Sequence, residues 1–511
     1  MISQAPYLIK ENFKTIPFVE VILPYAKKFA NNSDLQLSIL VKDKLERKLI
    51  EELSSVAEVT LQLELDNFIE NGNSDFEEFI ERLEVVLAID YPVLDKILKI
   101  KSNNFSNHIH NIISRFQEDI GNIESTFKLY DITIVDIDVS LGDGHNGEGT
   151  SLVCLSDGTK LIYKPRNVSI TNSYNSFIDW VNIKLNTDLK TFKVLDCENY
   201  GWIEFVNHEE VNSEEDLQKY YHKAGILLAV TLLLGSKDCH HENLIASGKN
   251  PVLIDHETII QPFFNDKSFR TWDDQFKIPP FSVLESVLIV NQDTGAPLDI
   301  VGFGVKKNIE VTELEKKIIN PNTINSKRTT RFATRKIVDK NIPVFEGRYI
   351  FVRDYKKYFI DGFSDAYDMF SNSKEELKSN NSPLQLFKND EVRYVWRATF
   401  VYFRILKYMR GASFMSSFEE YNSKLHYLLS KAFQGENMEK HKFILDFEMK
   451  QMLNGDIPIF SLNSEDDFLE REKSLKVFEH NCMENITHRI ALLSPENKQE
   501  QLEYISKWAN M

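Results

Sequence analysis

Apolar residues recur every three to four positions through most of the first 125 residues, the spacing of helices with one buried face. The segment Asp75-Phe-Glu-Glu-Phe-Ile-Glu-Arg-Leu-Glu-Val-Val-Leu is representative. Past that point the period shortens to two. Residues 132–141 alternate as a strand, and Gly142-Asp-Gly-His-Asn-Gly-Glu-Gly149 follows as a glycine-rich turn. Residues 150–155 and 160–164 read as a hairpin around Asp157-Gly158. A helix over 172–185 and strands over 192–195 and 201–206 come next. A long helix starts after Ser213, where Ser213-Glu-Glu-Asp216 has the form of a capping box. Its unbroken apolar run over 226–234 predicts burial on all sides. Short strands over 244–246 and 252–254 bracket a turn. Residues 258–345 mix loops and short elements, with the basic run 327–336 expected as a solvated loop. Residues 345–511 read as mainly helical, with a break at Gly455-Asp-Ile-Pro458.

This pattern makes the fold class α+β. It divides the chain into a helical region over 1–125, two mixed regions over 126–210 and 211–345, and a mainly helical region over 346–511. The total of 511 residues is enough for several cores. Acidic residues number 77 against 60 Lys and Arg, a formal net charge of −17. A chain of that sign is not drawn as a whole to nucleic acid or anionic membranes. Its four cysteines form no CxxC pair, so neither a disulfide framework nor a thiolate zinc site is indicated. The longest apolar run is too short to span a bilayer and the start has no signal-peptide pattern, so a cytoplasmic location is expected.

The mixed regions carry the chemistry. The order is strand, glycine loop, strand, strand ending in Lys164, helix, two strands, long helix, Asp238-x-His240-x-x-Asn243, strand pair, Asp255. That is the order of parts in a kinase-like ATP site. Gly142, Gly144 and Gly147 lie between strands, where a loop without Cβ atoms lets backbone N–H groups approach phosphates; the plainer reading is an ordinary hairpin turn. Lys164 can pair with phosphate oxygens as a point charge. Asp179, the one acid in the helix that follows, is the candidate to orient it. A carboxylate at Asp238 can accept the proton of an attacking hydroxyl. Asn243 and Asp255 offer oxygens to Mg²⁺, a hard cation. A zinc site from Cys239, His240 and His241 is the competing reading, but no further ligands complete a tetrahedral set.

Several segments closely resemble the dehydratase half of class II lanthipeptide synthetases, the LanM type. They include Gly142-Asp-Gly-His145, Leu161-Ile-Tyr-Lys-Pro-Arg166, Asp238-Cys-His-His-Glu-Asn243, Pro251-Val-Leu-Ile-Asp-His-Glu257, Arg393-x-x-x-Arg397-x-Thr399 and Gly455-Asp-Ile-Pro-Ile-Phe460. The resemblance covers about 110–500. It implies a lipid-kinase-like two-lobed catalytic core with added helical domains, the second lobe holding an activation segment. It implies that ATP and Mg²⁺ serve to phosphorylate Ser and Thr of a precursor peptide, made of a leader and a core. Phosphate is then eliminated to leave dehydroalanine or dehydrobutyrine. By position, Asp238 is the base for phosphorylation, His240 supports its loop, Asn243 and Asp255 hold Mg²⁺, and Lys164 holds ATP. Asp143, His145, Arg393 and Thr399 are associated with elimination.

Arg393 and Arg397 are four apart and would share a helix face, whereas Thr399 would point elsewhere unless the helix ends or bends between them. Synthetases of this type continue into a zinc cyclase domain. No counterpart follows here, so a stand-alone dehydratase without ring closure is expected, working beside a separate cyclase or another modifying enzyme. A kinase that stops at the phosphate, and a non-catalytic scaffold, are the alternatives.

Overall fold

The computed structural model describes residues 10–30, 37–139, 141, 144–145, 147–266, 269–305, 310–336, 340–433, 442–469 and 476–511. Gly142 and Asp143 lie outside them. Helices and strands are mixed along the chain. The residues group into two compact units, each assembled from separated stretches. Unit 1 comprises 1–163, 311–335 and 399–458; unit 2 comprises 164–310, 336–398 and 459–511.

Unit 1 begins with four helices: α1 (Val19–Ala30), α2 (Ile39–Glu70), α3 (Phe76–Asp90) and α4 (Pro92–Phe127). Their apolar positions meet in a core that includes Leu49, Leu53, Leu94, Leu98 and Ile109, all 1% exposed or less. Strands β1 (Ile134–Asp138), β2 (Ser151–Leu155) and β3 (Lys160–Lys164) form an antiparallel meander. Asp157-Gly158 makes the β2–β3 turn: Gly158 sits at φ +88, and the Asp157 carboxylate accepts the Thr159 N–H at 2.9 Å. The run 327–336 is not a loop. Lys327–Lys336 is a strand paired with Glu310–Ile319. Thr329, Thr330 and Thr334, β-branched and interleaved with cations, favour an extended ribbon over a coil.

Unit 2 holds α5 (Ser169–Leu185), the hairpin β4 (Val194–Asp196) and β5 (Gly201–Glu204), α6 (Glu214–Leu234), and the hairpin β6 (Leu244–Ser247) and β7 (Asn250–Leu253). Ser213 caps α6 by accepting the Asp216 N–H at 3.1 Å. As the apolar run predicts, residues 226–234 of α6 are buried all round. The helix Lys356–Asn372 crosses α6 very closely. A Cβ on Gly225 would stand 2.0 Å from Phe359 O, and one on Gly362 would stand 1.9 Å from His222 O. At this crossing backbone touches backbone, with no room for a side chain at Gly225 or Gly362.

Candidate functional site

Unit 2 gathers most of the residues singled out in sequence. Helix α6 ends at Gly235, at φ +74, and three residues later Asp238 also takes a left-handed conformation, at φ +59. Aspartate tolerates that region better than most residues. The loop that results is pinned through its backbone: Cys239 N–H donates to Ser286 O at 2.9 Å and His241 N–H to Ile300 O at 3.0 Å. Asn243 closes it. The Asn243 amide nitrogen donates to Asp238 O at 2.8 Å, which leaves the amide oxygen for another partner. Asn243 O in turn accepts the Ile254 N–H at 3.0 Å, coupling this loop to the residue before Asp255.

Asp255 and Glu257, two apart at the end of β7, meet Lys164 and Arg166, two apart at the end of β3. Lys164 Nζ lies 2.5 Å from Asp255 Oδ1. Arg166 pairs with Glu257 Oε2. The other Glu257 oxygen accepts from Arg393 Nη1 at 2.5 Å, and Glu257 O accepts the Arg393 N–H at 2.8 Å. Two guanidinium groups hold the Glu257 carboxyl well below the usual carboxylate range despite its burial. Burial pushes the Asp238 carboxyl up. The neighbouring His240 and Arg393 side chains oppose that, while Asp255 and Glu257 add to it. The His240 Nδ1 lies 3.2 Å from the Glu242 N–H, and its Nε2 lies 3.8 Å from Asp238 Oδ1.

Two expectations change. Asp179 is exposed on α5, and Lys164 is partnered by Asp255 instead. Arg393 and Arg397 do not share a helix face, because Arg393 lies in the strand Glu391–Tyr394, paired with Phe460–Asn463, and the helix starts only at Thr399. The ladder position lets Arg393 reach Glu257, which a helix would not. The site also includes Arg166 and Glu257, to which sequence reasoning gave no role. Their signal was present: opposite charges at the same two-residue offset beyond two strand ends. Among the described residues no cluster of three or more His, Cys, Asp or Glu side chains could hold a metal ion. Asn243 and Asp255 supply two hard oxygen donors, a set that suits Mg²⁺ completed by phosphates and water rather than zinc. A separate cavity of about 390 Å³ is lined by Lys237, Asp273, Tyr394 and Arg489 among others, and by none of the predicted site residues.

His145 and Thr399 belong to unit 1. His145 is buried, and its Nδ1 donates to Ile457 O at 2.7 Å. Ile457 N–H donates back to Gly144 O at 3.3 Å. Gly147 sits at φ +79 against α4, where a Cβ would come within 2.5 Å of the Asn104 side chain. Packing on α4 therefore already demands a glycine at 147, and Glu148 is held there by the Asn111 amide at 2.7 Å.

A family model described as a domain of unknown function, DUF4135, matches residues 91–463. The chain is a member of that family. The DUF4135 match takes in Lys164, Arg166, Asp238, Asn243, Asp255, Glu257 and Arg393. The chain is also 25% identical over 470 residues to the lacticin 481/lactococcin biosynthesis protein LcnDR2 of Lactococcus lactis subsp. lactis. That alignment covers 87% of this chain and 47% of the relative, so the chain spans about half the relative's length. No helix among the described residues is long and apolar enough to cross a membrane.

Proposed function

We propose that this DUF4135 protein dehydrates Ser and Thr side chains of a ribosomally made precursor peptide, by ATP-dependent phosphorylation followed by elimination, as in lanthipeptide-type biosynthesis. One observation carries the reading: within unit 2 the contacts from Asn243 to Asp238 and from Lys164 to Asp255, joined by the Ile254 N–H on Asn243 O, link Asp238, Asn243, Asp255 and Lys164. The biosynthetic role in the relative's name supports a peptide product.

In this reading the two mixed regions form a lipid-kinase-like core. The substrate hydroxyl oxygen attacks the γ-phosphorus, the bond to the β-phosphate oxygen breaks, and Asp238 takes the hydroxyl proton. Lys164 holds the phosphates. Asn243 and Asp255 would hold Mg²⁺, which neutralises phosphate charge when bound. In the elimination a basic side chain among those the resemblance assigns to this step takes the Cα proton, its electron pair forms the Cα–Cβ double bond, and the Cβ–O bond breaks to release phosphate. Hydroxide leaves poorly and phosphate leaves far better, so the first step enables the second. Arg393 is suited to hold the departing phosphate because a guanidinium donates in a fork. Thr399, His145 and Asp143 are assigned to this second step by resemblance.

A second reading, a kinase that stops at the phosphopeptide, is favoured by one observation: Arg393 is already engaged by Glu257. The test is incubation with a co-encoded precursor peptide, ATP and Mg²⁺, followed by mass spectrometry. Loss of one water mass per modified residue is expected. A stable gain of phosphoryl mass supports the second reading, and an unchanged peptide rejects both. In a dehydratase, Arg393→Ala should accumulate phosphopeptide; in a simple kinase it should alter the product mass not at all.

A further inference from the structure

The helix Thr399–Tyr408 presents to solvent the face that helices ordinarily bury. Phe400, Phe403, Arg404, Lys407 and Tyr408 occupy the i, i+3, i+4, i+7, i+8 stripe. Phe400, Phe403 and Tyr408 are 47%, 49% and 52% exposed, whereas Tyr402, between them in sequence, is buried and hydrogen-bonded to Glu448 at 2.6 Å. Three large rings about half exposed on one short helix forfeit part of a burial worth roughly 25 cal/mol per Å². Such a patch marks an interaction surface more often than a plain exterior.

Cations stand over these rings. Arg404 lies 5.3 Å from the Phe400 centroid, and Lys407 lies 5.9 Å from that of Phe403. The helix Phe418–Ser430 extends the face: Lys424 lies 5.4 Å from the Tyr408 ring and 5.3 Å from the Tyr427 ring, and Lys431 lies 4.3 Å from Tyr427, itself 53% exposed. No acid occurs between 399 and 418. Beside this face Glu58 of α2 faces four cations, Arg328, Arg410, Lys407 and Lys316, while exposed Glu419 and Glu420 open the second helix. The local excess is positive on a chain whose net charge is −17.

We propose that this basic aromatic face binds an acidic peptide segment studded with apolar side chains, a part of the precursor outside the residues that are modified. The face itself stands on its own observations; only the source of the peptide rests on the proposed function. Charge complementarity selects the acidic partner, and the exposed rings select one with apolar side chains. Two further considerations favour a short peptide over an extended polyanion. Screening limits charge effects to about 8 Å at physiological salt, so a short segment feels this face while a membrane or nucleic acid also meets the negative surroundings. Nucleic-acid bases stack on open ring faces, but here a cation already stands over one face of Phe400, Phe403 and Tyr427.

The experiment is fluorescence anisotropy with the full chain and two labelled probes: the co-encoded precursor peptide, and a 20-residue synthetic peptide of Glu, Asp, Leu and Phe. Binding of both should weaken as salt rises. A probe with Gln and Asn in place of its acids should bind at least tenfold more weakly. Arg404→Glu with Lys407→Glu should weaken binding at least tenfold, and Phe403→Ala with Tyr408→Ala should weaken it while keeping the salt dependence. Thermal melts establish that the variants fold, and Asp238→Asn should bind like the parent. Unchanged affinity in the charge-reversal variant overturns the proposal. So does tighter binding to phosphatidylglycerol vesicles or single-stranded DNA, or self-association that the same variant abolishes. Failure of the proposed function would show differently, as retained peptide binding with no change in peptide mass.

Discussion

Glu257 holds Arg393 twice, its carbonyl accepting the Arg393 backbone N–H at 2.8 Å and its carboxylate accepting the guanidinium at 2.5 Å. The same carboxylate takes Arg166 on its other oxygen. One acid thus fixes the position of two cations next to Asp255. All three side chains are largely withdrawn from water, so the arrangement depends on each charge having its partner.

Glu257→Gln keeps the shape and removes the charge, leaving two buried guanidinium groups against one neutral amide. Removing one member of a buried ion pair costs about 3–5 kcal/mol. A loss of about 3 kcal/mol is expected in urea unfolding, since the amide oxygen still accepts one bond. A loss below about 1 kcal/mol would mean the clamp contributes little to stability.

Lys164→Met removes the partner of Asp255 while keeping the length of the side chain. On the proposed function, phosphorylation should fall at least a hundredfold, because a positioned cation on a transferring phosphate is worth several kcal/mol. Stability should change far less than for Glu257→Gln, as Asp255 remains partly solvated at 28% side-chain exposure. Turnover of ATP with precursor peptide, read beside a thermal melt, separates the two effects.

Gly147→Ala meets two obstacles, a positive φ of +79 and the Asn104 side chain at 2.5 Å. The left-handed backbone alone costs an alanine about 1–2 kcal/mol, and the overlap adds to it. Asn104→Ala should relieve the overlap and not the backbone cost, so the double variant should recover only part of the lost stability. Full recovery would show that the conformation at 147 is not left-handed.

Asp456 follows Gly455 in the break between helix and strand. Burial raises its carboxyl from the ordinary 3.8 to about 6, with Lys101 and the Gly147 N–H holding it back. The folded state therefore keeps a proton that the unfolded chain gives up. This favours folding at low pH, and the benefit is lost as pH rises from about 4 to about 6. At about 1.4 kcal/mol per pKa unit the effect is on the order of 2–3 kcal/mol. Asp456→Asn should gain stability relative to the parent between pH 4 and pH 7, measured as the difference in urea midpoints. A constant difference across that range would refute it.

Gly362→Ala should force α6 and the helix Lys356–Asn372 apart, since the added carbon would lie 1.9 Å from a backbone oxygen. Overpacking of this kind typically costs 1–3 kcal/mol. The cost should sit at the upper end, about 3 kcal/mol, because neither backbone can turn aside as a side chain would.

Local chemistry was legible along the chain. The change of apolar period near residue 125, the Asp157-Gly158 turn, the Ser213 cap and the all-round burial of α6 each follow from interactions a few residues long. So does the spacing of Asp238, Asn243 and Asp255, because one loop and one hairpin connect them. Tertiary structure decided the rest. Whether 393–399 is helix or strand depends on a ladder with 460–463, more than 60 residues away, and on the Glu257 backbone. Lys164 takes Asp255 rather than the nearer Asp179 because the ends of β3 and β7 are brought together, an event no local period encodes. The aromatic stripe on 400–408 has the spacing of a face that helices ordinarily bury. Only the fold turns it outward, because Tyr402 claims the interior through its bond to Glu448.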